Sequence, residues 1–233
     1  MLNKVNGYDL IVPVYNEKNI LKLLNYVEEN TEKLNKIYIC YDFEEDITLN
    51  IINNSKYKNS EKIVLTKNPF IGPCEAVKEG IKHSISKSVI VYPADDFDNA
   101  VLLDEMYDLF KEGYDIVCPS RFMQGGSMKN CPFIKFLLVK LVSLSLFYFS
   151  KINIHDPTNG FRFFSKELID KLKIESKYGF AYSIELLVKA KKNNYKITEI
   201  PAKWIERDDR KSSFKILKWS RQYLKWFFYA ILN

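Results

Sequence analysis

The chain has 233 residues, of which 47% are hydrophobic and 15% aromatic, a composition too apolar for a disordered polymer and sufficient for a substantial core. Its four cysteines, Cys40, Cys74, Cys118 and Cys131, show neither paired nor metal-ligand spacing, and His83 and His155 are the only imidazoles, so reduced thiols are expected and a zinc site is not. The net charge of +6 is uneven: residues 116–155 carry five basic residues and no acid, residues 201–233 carry eight basic and three acidic, and both segments are rich in apolar and aromatic side chains.

Apolar runs alternate with helical patterns through the first half, as in β-α units around a mainly parallel sheet. Strands are predicted at Tyr8–Val14, Lys36–Tyr41, Lys62–Thr66, Val89–Tyr92 and Tyr114–Cys118. Helices are predicted at Glu17–Asn30, Asp46–Asn54, Gly72–Ser86 and Asn99–Lys111. Because a polar helix follows the first strand, no cleavable leader is expected, and the compartment reads as cytoplasmic. The sheet is expected to end near residue 120, where SRFMQGGSMKNCP begins and paired Gly125 and Gly126 suggest a mobile loop.

Phe133–Phe149 follows, an apolar run of 17 residues interrupted by Lys135 and Lys140. It is short of the ~20 apolar residues a spanning helix needs. A buried core helix and a helix lying in a membrane interface both fit it. The last stretch, FKILKWSRQYLKWFFYAI, places Lys215, Lys218, Arg221, Gln222 and Lys225 in one helical stripe, with Trp219, Tyr223, Trp226, Phe227 and Leu224 covering most of the rest. This pattern favours a membrane-surface helix over one docked on the domain. Nucleic acid is not expected as a partner, because a cluster of carboxylates sits at a strand end.

That cluster is VIVYPADDFDNA, in which a strand ends in Asp95, Asp96 and Asp98. Each aspartate alone fits a turn or an N-cap. Three together, off the carboxyl end of a buried strand, also fit a site for a hard divalent cation. Earlier strands end similarly: LIVPVYNE runs into a helix start, YDFEED places Asp42 and Asp46 after the second strand, and NPFIGPCEAVKEG carries Asn68, Gly72, Ala76 and Gly80 where a helix packs on the sheet. No GxGxxG follows the first strand, which disfavours a nicotinamide-binding dehydrogenase.

In this order the segments resemble the family 2 inverting glycosyltransferases, especially the dolichol-phosphate mannosyltransferase-like branch that acts on polyprenyl phosphates. Asp42 and Asp46 match the spacing of that family's DDxSxD element, and PADD stands at its DxD motif. SRFMQGG is similar to its acceptor-loop TRY..GG, DPTNGFR to DxTSGFR, and EIPAKW followed by ERDDRKSSF to its closing EVPI...DR..G.SKF pattern. The resemblance implies an A-type nucleotide-diphospho-sugar transferase fold, with residues 1–120 as the donor half, 121–212 as the acceptor half holding an interfacial helix at 132–150, and 213–233 as an amphipathic helix.

The resemblance further implies a UDP- or GDP-sugar donor contacted by Pro13, Tyr15, Glu17, Asp42, Gly72, Asp95 and Asp96. Mg²⁺ or Mn²⁺ would be held by Asp95 with help from Asp96 or Asp98, and Asp95, Asp156 and Arg207 would be catalytic. A lipid phosphate would be seated by Arg121, Lys135, Arg162, Arg207 and Ser212, on the cytoplasmic side of an anionic membrane, with the protein attached peripherally. For a saccharide hydroxyl acceptor, as in surface-polysaccharide synthesis, Asp156 or Glu185 would supply the base. Asp156 with Arg162 could instead form an internal salt bridge. Three positions depart from the pattern: Pro93 replaces the first aspartate of DxD, Arg210 a glycine and Ser213 a lysine. These departures leave open a non-catalytic membrane-associated nucleotide-sugar-binding protein.

Overall fold

The computed structural model describes residues 6–150, 152–206 and 216–232. Four strands build one half of the sheet: β1 (Tyr8–Pro13), β2 (Leu34–Tyr41), β3 (Ile63–Lys67) and β4 (Ser88–Val91). They run parallel in the order β3-β2-β1-β4. Leu10, Ile11 and Val12 are wholly buried, as expected of a central parallel strand covered by helices on both faces.

The helices follow from apolar spacing. In α1 (Ile20–Asn30) the residues Ile20, Leu23, Leu24 and Val27 form a single buried stripe. Asp46 caps α2 (Ile47–Asn53) by accepting the Thr48 N–H. The third helix, α3 (Pro73–His83), opens with proline in its first turn. Gly80 brings α3 onto the sheet, since a Cβ there would lie 2.6 Å from Ile11 Cγ2 and 2.7 Å from Cys40 Sγ. A 3-10 turn at Asp98–Leu102 leads into α4 (Leu103–Lys111), which packs beside α1 and α2 on one face while α3 covers the other.

The sheet does not end near residue 120. Beyond β5 (Ile116–Ser120), the short strand β6 (Ser127–Lys129) and helix α5 (Phe133–Phe149), the chain re-enters the sheet as β7 (Arg162–Ser165), antiparallel between β4 and β5. After α6 (Lys166–Leu172) and α7 (Tyr182–Lys192), β8 (Ile197–Pro201) pairs parallel with β5 and completes seven strands. β9 (Lys203–Ile205) pairs with β6 in a separate small ribbon, and α8 (Ile216–Leu232) packs on α7 and α5. Gly125 and Gly126 serve close approach rather than mobility: Gly125 has φ +88° in the turn, and a Cβ on Gly126 would meet the Ser120 carbonyl at 2.4 Å.

The two apolar helices have opposite fates. In α5 only Ser143 and Leu146 are buried, and its surface is dominated by exposed Phe133, Ile134, Leu138, Leu141, Tyr148 and Phe149. The buried-core reading of α5 is therefore excluded. In α8 the aromatic side turns inward instead: Trp226 and Ala230 are buried, the Trp226 indole donates to Ser176 Oγ at 2.9 Å, and the Tyr223 hydroxyl accepts the Phe180 N–H at 3.0 Å. Gln222 and Lys225, expected in a headgroup-facing stripe, bind the 177–178 backbone and Glu175. Leu224, Phe228 and Leu232 are left outward on α8. Among the described residues no helix is long and apolar enough to cross a membrane.

Candidate functional site

After β1 the chain moves outward through β2 and β3 and then returns to place β4 on the other side of β1. This reversal opens a crevice at the carboxyl ends of β1 and β4, the usual place for a ligand in an open α/β sheet. The nucleotide-side residues lie along that edge. Asp42, just past β2, accepts Asn68 Nδ2 at 2.8 Å and the Gly72 N–H at 2.9 Å, tying together the ends of β2 and β3 and the start of α3. Gly72 adopts φ +109°, and nothing would touch a Cβ there, so the glycine is required by conformation rather than crowding.

Pro13 ends β1, and Tyr15 beyond it is 64% exposed with its ring edge-on to Phe43 at 5.5 Å. These groups form an open aromatic edge beside a carboxylate. Glu17 occupies a different role from the expected ligand contact: it is buried, and its carboxylate accepts the Asn19 N–H at 3.0 Å while its own N–H donates to Thr48. Asp46 is likewise buried in turn-building, accepting the Asn16 and Thr48 N–H groups.

The acidic loop divides its three aspartates. Asp95 and Asp98 line a cavity of about 220 Å³ bounded also by Asn19 and Lys22 of the α1 turn and by Lys203 and Trp204 of β9. Asp96 also borders that cavity, but it is buried, and both carboxylate oxygens accept Asn99 Nδ2, at 2.9 and 2.8 Å. Burial, only partly offset by the Asn99 hydrogen bonds, pushes the Asp96 carboxyl up to about 7. Asn99 also pairs with the Lys203 backbone in both directions, at 2.7 and 3.1 Å, so it fastens the acidic loop to β9. In this arrangement the Asp96 carboxylate, expected as a donor and metal ligand, is engaged by Asn99.

Among the described residues no three His, Cys, Asp or Glu side chains converge as a cage for a metal ion. A hard divalent cation shared between one or two carboxylates and a substrate diphosphate requires no such cage. The oxygen donors of Asp95 and Asp98 at the cavity fit an ion of that kind, and Pro93 fixes that the position before Ala94 supplies none.

On the other side of β4, Arg121 and Asp156 form a buried fork. Arg121 Nε lies 2.6 Å from Asp156 Oδ2 and its NH2 lies 2.9 Å from Oδ1, with the Arg121 N–H and Thr158 Oγ1 completing the set. The side chains are 12% and 0% exposed. Burial works to raise the Asp156 acid, but the Arg121 charge and its hydrogen bonds outweigh it and hold the carboxyl below its ordinary range. The pairing with Arg162 considered from sequence is not formed. Arg162 is wholly buried on β7, its NH2 donates to the carbonyls of Asp156 and Asn159 at 3.1 and 3.0 Å, and its Nε and NH1 have no partner among the described residues. It braces the loop from beneath and is not placed to seat an acceptor.

Glu185 is also removed from the acceptor role: wholly buried in α7, it accepts the N–H groups of Glu175 and Ser176 at 2.6 and 2.8 Å and pairs with Lys189. Lys135 pairs with Glu206 at 2.6 Å. Arg207, Arg210, Ser212 and Ser213 lie outside the described residues. Asn99, Thr158 and Lys203 were not singled out in the sequence. For Asn99 the signal was its spacing three residues after Asp96, which a capping turn also produces.

Comparison with known proteins agrees with this architecture. Residues 9–173 match the family model described as glycosyl transferase family 2. The chain is 27% identical over 227 residues to the dolichol-phosphate mannosyltransferase of Pyrococcus furiosus, covering 93% of this chain and 63% of that protein. It is 23% identical over 227 residues to the polyprenol monophosphomannose synthase of Mycolicibacterium smegmatis, covering 90% of this chain and 85% of that protein. The glucosyl-3-phosphoglycerate synthase of Mycobacterium tuberculosis, solved with Mn²⁺, UDP and glucosyl-3-phosphoglycerate, shares the fold with a TM-score of 0.71 at 14% identity, over 97% of this chain and 80% of that one.

Proposed function

The chain belongs to glycosyltransferase family 2, and from that premise we propose that it moves a sugar from a nucleotide-diphospho-sugar to a polyprenyl phosphate at the cytoplasmic face of a membrane. The relatives named above as acting on dolichol phosphate and polyprenol support the acceptor class. The observation that carries the lipid assignment is α5: 17 residues with only two buried, no acid, and a broad exposed apolar surface, packed beside α8, which itself leaves Leu224 and Phe228 exposed. Lys140, exposed on α5 itself, and exposed Lys129 of β6 add positive charge that complements anionic headgroups.

The donor sits in the crevice, with its nucleoside against Tyr15 and Asp42 and its diphosphate toward Asp95. When bound there by Asp95 and Asp98, Mg²⁺ or Mn²⁺ supplies positive charge to the departing nucleoside diphosphate. The acceptor phosphate oxygen forms the bond to the anomeric carbon from the face opposite the leaving group, as the bond to the donor phosphate breaks. That oxygen is already ionised near neutral pH, so no proton has to be removed. Asp156 and Glu185, the carboxylates considered as bases for a hydroxyl acceptor, are both buried and held in hydrogen bonds, which favours the ionised acceptor. Arg121 gives its Nε and NH2 to Asp156, so an arriving phosphate meets it through the remaining NH1 edge of a guanidinium held in place by that pair.

Calorimetric titration with UDP and GDP, each with and without Mn²⁺, on the wild type and Asp95→Ala tests the donor half. Tight binding of one nucleotide that requires both the metal and Asp95 is expected, and binding indifferent to both places the site elsewhere. Transfer of label from the matching nucleotide-sugar to a prenyl phosphate tests the acceptor half. Donor binding without transfer to any acceptor would instead point to the non-catalytic binding protein.

A further inference from the structure

Arg121 and Asp156 are each tied, one position away, to helix α5, and β9, which lines the cavity, is tied to the same helix through Glu206. Phe122, next to Arg121, packs edge-on against Phe136 of α5 with ring centroids 6.1 Å apart. His155, next to Asp156, stacks on Phe147 of α5 at 4.6 Å and 30°, and is held from the other side by Glu199 of β8 through its backbone N–H at 3.0 Å and its ring Nδ1. Glu206, which follows β9, takes two contacts from Lys135 of α5 at 2.6 and 2.8 Å, and also accepts the Trp204 indole N–H at 3.1 Å. β9 in turn is fastened to the acidic loop through Lys203, Asn99 and Asp96. Lys135, Phe136 and Phe147 lie along the helix whose outer surface is apolar, yet none of them lines the cavity.

We propose that α5 is a positioning element that couples docking on a lipid surface to the geometry of the acceptor site, through Phe136 and Phe147 onto the Arg121–Asp156 pair and through Lys135 onto β9. The inference deepens the functional reading above and rests on it for the identity of the acceptor. The physical basis is that α5 has almost no core of its own. With Ser143 and Leu146 its only buried residues, its seating depends on these lateral contacts and on its packing against α8. A helix held so lightly shifts at small cost when its outer face gains a large apolar contact. Packed rings and a charge pair transmit that shift because such contacts have discrete arrangements. Phe136, Phe147 and Lys135 are therefore positioning residues rather than catalytic ones.

The test uses the full chain and three variants, Phe147→Ala, Phe147→Leu and Lys135→Met, with vesicles of phosphatidylglycerol and phosphatidylcholine as the surface. Transfer is measured to a short, water-soluble prenyl phosphate, so that the vesicle is not needed to deliver acceptor. Amide hydrogen exchange of the 120–123 and 154–160 segments is followed in parallel, with and without vesicles and independently of activity. For the wild type, vesicles are expected to lower the acceptor KM about fivefold or more, the small end of coupling between sites, with the donor KM unchanged. They are also expected to change exchange in both segments. Phe147→Ala and Lys135→Met lose both responses while still binding vesicles and donor, and Phe147→Leu recovers part of them.

Vesicle binding without any change in exchange, or full responses in Phe147→Ala and Lys135→Met, overturns the coupling, as does failure of the wild type to bind vesicles. Exchange responses that depend on Phe147 together with no transfer to any prenyl phosphate leave the coupling standing and reject the functional reading instead. A variant whose thermal unfolding is no longer cooperative is replaced by Glu206→Gln, which removes the Lys135 ion pair while keeping the side chain's shape.

Discussion

Asp156→Ala examines the central assignment of the acceptor side, that Asp156 holds Arg121 and does not act as a base. Removing the carboxylate leaves Arg121, 12% exposed, without its charge partner and frees its Nε, NH2 and backbone N–H bonds together. Breaking a buried pair by deleting one member costs about 3–5 kcal/mol. Asp156→Asn keeps the shape and part of the hydrogen bonding and is expected to cost about half as much, in line with hydrogen bonds to a charged group at ~1.5–3 kcal/mol. The double variant Arg121→Met/Asp156→Ala removes both charges and, measured with its two constituent single variants, is expected to cost well under their sum, giving a coupling in a double-mutant cycle. Urea unfolding at pH 7 with a shared m-value measures all of these. The same proteins separate the catalytic roles. As a positioning group, Asp156→Asn raises the acceptor KM and leaves the pH dependence of turnover unaltered, whereas loss of a general base costs roughly 10²–10⁴ in rate and removes a limb of the pH profile. Single variants that cost under ~1 kcal/mol with no coupling, or a lost limb in Asp156→Asn, would refute the reasoning.

Burial of Asp96 predicts a pH-dependent stability. Its folded carboxyl titrates at about 7 against an ordinary 3.8, so the folded state binds the proton more tightly, and stability present at low pH is lost as pH rises through 7. A rise of that size corresponds to at most about 4 kcal/mol. The metal-free wild type should melt lower at pH 8 than at pH 5 by more than Asp96→Asn does, and parallel pH curves for the two proteins would show that Asp96 is not the group responsible. Gly80→Ala forces a methyl to within 2.6 Å of Ile11, which costs ~1–3 kcal/mol by overpacking against a gain of up to ~1 kcal/mol in helix propensity. A net loss in urea unfolding is expected, and a gain would mean that α3 does not press on the sheet. Leu138 and Leu141, 50% and 51% exposed on α5, should drive surface attachment. Leu138→Ser/Leu141→Ser should weaken vesicle partitioning by about tenfold or more with unfolding unchanged, and equal partitioning would assign attachment to another face.

The parts of this fold that local pattern controls were legible in the chain. Buried parallel strands are predominantly apolar and α1 and α4 are amphipathic, so β1 to β5 and the helices between them follow from runs and periods. The acidic loop was likewise visible, because a strand that ends in Asp95, Asp96 and Asp98 conflicts with its own burial unless something meets the charge.

What pattern could not reach is partner choice. Asp156 has Arg162 six residues away and Arg121 thirty-five away, and nothing in sequence order favours the distant one. Only the insertion of β7 antiparallel between β4 and β5 carries Arg162 into the sheet and leaves Asp156 facing the end of β5. The same holds for Asp96, whose neighbours in sequence suggested a shared metal: Asn99, three residues on and fixed in place by its two bonds to the Lys203 backbone of β9, takes its carboxylate instead. The two apolar helices make the point for surfaces: α5 has no periodicity to say which side is covered, while α8 has a clear one that equally fits lipid or protein. Burial against α7 occupies the aromatic face of α8 and leaves α5 outward. Hydrophobic pattern specifies that a face must be covered, and the fold decides by what.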